Sequence, residues 1–424
     1  MTAIATVRVP ATAASRRYLA AGTFVALGVL EIALFGLTAH AGDAVFALSV
    51  SGSGIHVPSI HVAAGPACFV LGALSIGTGA LRVVTDPSPR VKRTTIGVAL
   101  VTFVLALLCW ADASSSVGPL NVILLLQGTL LAAIPLVLGA LSGCLCERSG
   151  VINIAIEGQL ICGAFAGAAF SSLFNGLWWG VIAGCLAGGL VGALLGVFAI
   201  KYRANQIIVG VVITTLALGL TDYLYNRVMA VYSTTLNAGN FFGTTKIPLL
   251  GSIPIIGPIF FDSSVFLYLT YALIILIQVG LFYTRWGLRV RAVGEHPTAA
   301  DTVGIKVLWI RYRNVILGGM VAGLGGAYLT VGSVGTFTPG MSNGFGYIGL
   351  AAMIFGRWTP LGSVAAALLF GFSKQLGSVL GLLNVPVPTE VLAMTPYVAT
   401  ILAVVGLVGR VRPPAADGLP YVKS

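Results

Sequence analysis

Charge is what this chain has least of. Only 8% of its 424 residues are Asp, Glu, Lys or Arg, 57% are hydrophobic, and the mean hydropathy is +1.00. That composition excludes a water-soluble domain of ordinary make-up. Acids are rarer than bases, 12 against 23, and there are four histidines. Ion-coupled carriers generally use Asp, Glu or His relays inside the membrane, but here Glu31 and Glu157 are nearly the only acids within apolar stretches, and they lie far apart in the chain. No GxxxxGK(S/T) loop occurs, which excludes ATP hydrolysis by the usual phosphate-binding machinery. HExxH, GxSxG and paired catalytic carboxylates are also missing, so a membrane enzyme is a poor reading. Of the six cysteines, Cys68, Cys109, Cys162 and Cys185 sit in apolar runs. Cys144 and Cys146 have neither the spacing nor a nearby His for tetrahedral zinc, so all six read as small packing residues. His40, His56 and His61 have no ligand spacing either.

What fills the chain instead is a series of apolar runs of about 20 residues, each long enough to cross a bilayer as a helix. The fold class is therefore all-α, a polytopic transmembrane bundle of about 11 membrane segments, one of them broken or re-entrant. The net charge of +11 comes from bases in short loops and forms no patch interleaved with aromatics. It reads as the positive-inside signal and not as a nucleic-acid footprint. Residues 1–17 form a polar cytoplasmic tail, and the faint twin-arginine look of Arg16 and Arg17 is outweighed by an apolar run too long for a signal peptide. Residues 18–120 hold three spans, Glu31 facing protein or water in the first. Residues 121–412 form a core, and 413–424 a second cytoplasmic tail.

Within the core, Gly184, Gly188, Gly192 and Gly196 recur every fourth residue and make one helix face a close-packing seam. The loop from Asn226 to Ser264 fits a lid, a docking surface or a cap over the pore mouth. Arg357, Pro360 and Gly362 interrupt the apolar stretch near Ala351–Leu383. That break fits a re-entrant pair opening outward, or two segments with Arg357 at the cytoplasmic side. The longest charged island spans 285–313, with Arg285, Arg289, Arg291, Lys306, Arg311 and Arg313. Such a loop belongs on the inside. Pro297 is suited to a first helical position and Gly304 to a stop, so a short helix crosses this loop. Ala299 and Ala300 offer it a small flat face.

Three strings carry a resemblance: ERSGVINIAIEG (Glu147–Gly158), NQIIVGVVITTLALGL (Asn205–Leu220) and GEHPTAADTVGI (Gly294–Ile305). Together they resemble the permease subunits of bacterial ABC importers for branched-chain amino acids, simple sugars and nucleosides, and the first string is most similar to the nucleoside type. In that family an Asn is common near the position of Thr214, where this chain has a hydroxyl. The resemblance covers about two thirds of the chain and implies a multi-pass permease in the bacterial inner membrane with both termini cytoplasmic. It implies no cofactor on this chain, with ATP and magnesium held by a partner ATPase. The implied partners are that ATPase, a second related permease in a heterodimer, an extracytoplasmic substrate-binding lipoprotein and membrane lipid. Gly294, Glu295, Pro297, Ala299, Ala300 and Gly304 would couple to the ATPase. Asn153, Glu157, Asn205 and Gln206 are candidates for the translocation path. Asn153 and Glu157 are four apart, hence on one helix face, lining the path or tying helices together. A ribose-like sugar permease and an ion-coupled carrier are the alternatives.

Overall fold

The computed structural model describes residues 13–39, 42–49, 57–84, 88–115, 117–383, 385, 394 and 412–422. The chain is a polytopic helical membrane protein. Among the described residues nine helices are long and apolar enough to cross a bilayer, and two shorter apolar helices, Ala21–Gly36 and Phe345–Phe355, accompany them. The last expected span, near 391–408, lies outside the described residues, as do His40 and His56. The chain divides into two compact units, Met1–Ile123 with Gly377–Ala393, and Leu124–Leu376 with Met394–Ser424.

In the first unit, α1 (Ala13–Glu31), α2 (Ala64–Val84) and α3 (Pro89–Ala113) pack together. Helices α1 and α2 approach backbone to backbone, because a Cβ on Gly28 would fall 2.5 Å from the Gly72 carbonyl oxygen. Glu31 is fully buried and faces protein: its Oε1 accepts from Ser75 Oγ at 2.7 Å, and Ser75 pairs with Thr102 at 2.7 Å. Three short strands depart from the all-helical expectation: β1 (Asp43–Ala47) lies between antiparallel β2 (Ile60–Ala63) and parallel β3 (Leu120–Asn121). Asp112 at the end of α3 accepts from the N–H of Val45 at 2.5 Å and of Leu120 at 2.6 Å, which ties this small sheet to the helices.

The second unit is built on α4 (Val122–Glu147), α5 (Ile156–Leu173), α6 (Leu177–Gly196) and α7 (Gln206–Leu224). After α7 the long loop folds as α8 (Ser233–Leu236), an antiparallel pair β4 (Thr244–Lys246) and β5 (Asp262–Ser264), and α9 (Ile256–Phe260). Asn237 ties this loop to the bundle, exchanging hydrogen bonds with the backbone of Phe337 at 2.7 and 3.1 Å. The chain continues through α10 (Val265–Tyr283), α11 (Arg285–Glu295), α12 (Pro297–Thr302), α13 (Val307–Leu329), α14 (Phe345–Phe355) and α15 (Pro360–Leu382).

Glycine decides how this bundle closes. Gly184, Gly188 and Gly192 face the backbone of α13: added Cβ atoms would sit 3.2 Å from Gly323 O, 2.3 Å from Gly319 O and 2.7 Å from Val315 O respectively. With no hydrophobic force between helices in lipid, this close van der Waals contact holds the pair together. Gly196 also faces α13, but meets the ring of Tyr312 there and not its backbone. Helix α13 is also drawn against α5, where Gly326 lies so close to the Leu160 carbonyl that any side chain would collide.

Candidate coupling face and polar core

Helix α10 ends at Thr284, whose Oγ1 donates to Gly280 O at 2.6 Å and accepts from Gly287 N–H at 3.2 Å, capping α11. This three-turn helix is missing from the sequence reading, which has only a short helix across the loop. Its turns pack back on α10 through Gly287, where a Cβ would clash with the carbonyls of Gly280 and Leu281. His296 breaks the helical path with φ −141° and ψ 83°, and Pro297 opens α12. The helix ends as the sequence predicts. Gly304 takes φ +84°, its N–H bonds Asp301 O at 2.9 Å, and Ile305 N–H bonds Ala300 O at 3.1 Å. These two bonds are the Schellman pattern, which needs a left-handed residue where Gly304 stands.

The expected flat pair of alanines is split by the helix. Consecutive residues are about 100° apart around the axis, so Ala300 turns inward, 4% exposed, while Ala299 is exposed. The outward face is instead Ala299 with Val303, four residues on and 75% exposed. Pro297 is half-buried at its edge and Gly304 is exposed with nothing near its Cα. Gly294 is buried against the end of α4, where a Cβ would lie 2.2 Å from Arg148 O. Its own carbonyl accepts from Ala416 N–H at 2.9 Å, and the exposed Glu295 accepts from Ala415 N–H at 3.2 Å.

The break between α14 and α15 lies at this same end. Arg148, whose carbonyl touches Gly294, donates from Nε to Trp358 O at 2.8 Å and from Nη2 to Arg357 O at 3.3 Å. Trp358 Nε1 donates to Glu147 Oε2 at 2.5 Å. Arg357 and Trp358 both carry positive φ, 56° and 53°. Arg357 is exposed, so the break faces the end of the bundle where α11 and α12 lie and not the opposite one.

Residues 148–155, between α4 and α5, carry no helix, and the structure corrects the expected Asn153–Glu157 helix face. Asn153 lies in this unwound segment, ahead of α5. It is fully buried and pairs with Gln159, its Nδ2 at 3.0 Å from Gln159 Oε1 and the return bond at 3.3 Å, with Ser142 Oγ at 3.2 Å. Irregular backbone at membrane depth must find partners inside the protein. Gln206 supplies one, its Oε1 accepting from Ile152 N–H at 2.7 Å, and Thr214 Oγ1 another, donating to Ile154 O at 3.5 Å. Asn205 is exposed and caps α7, its Oδ1 accepting from the N–H groups of Ile207 and Ile208.

Glu157 occupies a different position. Helix α14 runs alongside α4 in the same direction, Gly349 against Leu136 and Ala140, and Met353 against Gly143. Its first turn therefore begins deep in the bundle, and Ile156 packs on Gly139, about 12 Å along α4 from Glu147 at 1.5 Å per residue. There the Glu157 carboxylate accepts from Gly344 N–H at 2.9 Å and from Gly346 N–H at 2.6 Å. A carboxylate at the amino end of a helix satisfies orphan donors and complements the dipole. Lys374 Nζ stands 3.6 Å from the centre of the Phe345 ring, at the same turn.

Arg311 escapes the sequence reading, which counts it among the loop bases. It is 1% exposed within α13, and Nη1 donates to Leu419 O at 2.8 Å. Its place within the first turns of an apolar helix, three residues before Asn314, is the signal that could have marked it. Among the described residues no group of His, Cys, Asp or Glu could hold a metal ion.

The family described as branched-chain amino acid transport system / permease component matches residues 125–408. The guanosine ABC transporter permease protein NupQ of Bacillus subtilis is 41% identical over 311 residues, covering 71% of this chain and 97% of the relative. The nucleoside ABC transporter permease protein NupC of Lactococcus lactis is 36% identical over 312 residues, again 71% and 97%. A putative glucose ABC transporter permease protein of Haloferax volcanii, TsgC13, is 32% identical over 299 residues, 65% of this chain and 89% of the relative. No solved structure matches the chain. A family match over most of the chain, a relative aligned nearly end to end and a bundle of apolar helices agree, and the chain belongs to the ABC transporter permeases of the branched-chain amino acid type.

Proposed function

We propose that the chain is the membrane-spanning permease subunit of an ATP-driven importer of nucleosides. The similarity to nucleoside permeases over nearly their whole length carries this reading. The subunit is non-catalytic: a separate ATPase binds ATP and magnesium, and α12 seats in a cleft on it through Ala299, Val303 and the edge at Pro297. Gly294 and Gly304 set the position and end of that helix. A second, related permease completes the pore, a lipoprotein delivers cargo on the outer face, and both termini face the cytoplasm. An uncharged cargo fits the interior, because the positive end of α14 is already met by Glu157, and Lys374 at the same turn stands over Phe345. Asn153 and Gln206 shape the path by holding the unwound segment, and Asn205 by capping α7.

Uptake of labelled nucleosides, with ribose and leucine as controls, in cells with and without this chain and before and after ATP depletion, tests the proposal. ATP-dependent nucleoside uptake lost on deletion is the expected result. The glucose permease among the relatives favours a second reading; lost ribose uptake with nucleoside uptake unchanged would shift the cargo to sugars. Uptake that survives ATP depletion and collapses with the proton gradient would overturn both.

A further inference from the structure

Residues 412–422 make a dense set of contacts that the transport reading leaves unused. They turn on themselves, Asp417 N–H bonding Pro414 O at 3.1 Å, with Pro414, Ala416 and Tyr421 buried. On one side the tail holds the coupling loop. Ala416 N–H bonds Gly294 O at 2.9 Å, Ala415 N–H bonds Glu295 at 3.2 Å, and the Tyr421 hydroxyl lies against the Asp301 carboxylate of α12. On the other side it holds the end of the pore-forming bundle. Gly418, at φ +75°, closes on Ile152 so tightly that a Cβ would lie 2.7 Å from the Ile152 Cδ1. Arg311 of α13 takes Leu419 O, and the Asp417 carboxyl faces Glu147, which in turn accepts from Trp358 in the α14–α15 break.

We infer that this carboxy-terminal tail is a strap that links the coupling helix to the unwound segment and the broken helix, with Asp417, Tyr421 and Arg311 as its positioning residues. The physical case rests on what each end touches. Helix α12 has six residues, too short to be stable alone, and its buried face carries only Ala300. A movement of α12 acts on Tyr421 and on the Gly294–Ala416 bond. The tail passes that movement to Ile152, whose N–H is held by Gln206 of α7, and to Glu147 and Trp358. Gly294, Gly150 and Gly418 all lie where the tail or the end of α4 comes within contact distance, and a Cβ on Gly150 would meet Ala416 O at 3.1 Å.

The inference rests on the permease reading, so its test separates the two. The full chain, its partner ATPase and the remaining subunits are co-expressed with either the wild-type chain or one ending at Arg412, and with the point variants Tyr421→Phe and Asp417→Ala. Co-purification, ATP hydrolysis and ATP-dependent uptake are then measured. With the strap removed, the ATPase still co-purifies and hydrolyses ATP while uptake falls about tenfold, within the usual range of a coupling free energy; Tyr421→Phe gives a smaller loss in the same direction. Uptake equal to wild type in the shortened chain would overturn the strap, and so would loss of co-purification, which would make the tail part of the docking surface. A wild-type complex with no ATP-dependent uptake would instead overturn the permease reading. The contact itself is tested without transport, by cross-linking Glu295→Cys to Ala415→Cys in membranes with a short bis-maleimide. The native cysteines are buried or half-buried and compete little. No cross-link would overturn the strap whatever the cargo.

Discussion

Asp417 shows what one residue can do at the end of the bundle. Burial beside Glu147 pushes its carboxyl up to about 7, well above the ordinary Asp value near 3.9. The titratable or charged groups facing it are Glu147 and Cys146 from α4 and Arg311 from α13. Below about pH 4 the docked and free tails both hold this proton, so docking is strongest there. Between about 4 and 7 the docked tail keeps a proton that the free tail has lost, so docking weakens as pH rises, and above 7 the penalty is constant. Amide exchange at Ala415 and Ala416, corrected for its intrinsic pH dependence, should quicken from pH 5 to pH 8 in the wild type and stay level in Asp417→Asn. Glu157 gives a second expectation at this scale. Glu157→Ala leaves the N–H groups of Gly344 and Gly346 without an acceptor in a buried site. The cost is about 2–4 kcal/mol for two orphaned donors, seen as a lower unfolding midpoint in detergent and less retained uptake, with Glu157→Gln intermediate because its amide keeps one acceptor oxygen.

The helices show why single glycines matter. At Gly188 a Leu side chain would have to enter a space where even a Cβ lies 2.3 Å from Gly319 O. Separating α6 from α13 costs about 3 kcal/mol or more, and Gly188→Leu should reduce the amount of folded protein in the membrane, whereas Gly219→Leu, with nothing within 4 Å of its added Cβ, should not. In α12, the proposed coupling helix, the two alanines should separate by effect. Ala300→Trp forces a large ring under α12 and displaces it, so ATP hydrolysis continues while uptake is lost. Val303→Asp keeps α12 in place but charges its exposed apolar face, and should weaken co-purification of the ATPase. Wild-type coupled transport by Ala300→Trp would place the coupling contact elsewhere. The helix bounded by Pro297 and Gly304 was legible in the sequence because both residues act through local backbone geometry. Helix α11 was not, because its charged residues read as a loop until α10 offers Gly280 as a surface for Gly287.

For the whole molecule, the positive-inside rule proposes that the loop carrying α11 and α12 faces the cytoplasm. Thr302→Cys should therefore react with a membrane-impermeant maleimide only from the cytoplasmic side, and Asn240→Cys in the long loop after α7 only from the other. Composition and apolar run length alone determined that this chain is a polytopic helical membrane protein, since continuous apolar runs of about 20 residues satisfy their backbone in lipid as helices, whereas barrel strands alternate apolar and polar residues. The glycine spacing determined that α6 would meet another helix closely, since a bare face permits nothing else. Which helix it meets, α13, depends on contacts between residues more than 100 positions apart and was decided only in the tertiary structure. The same holds for the polar residues. A side chain such as Asn153, Gln206 or Arg311 is read from sequence as polar and costly to bury, but whether it meets cargo, solvent or another protein group depends on its partners. Folding brings Gln159 to Asn153, Ile152 to Gln206 and Leu419 to Arg311, and no local pattern in the chain records those distances.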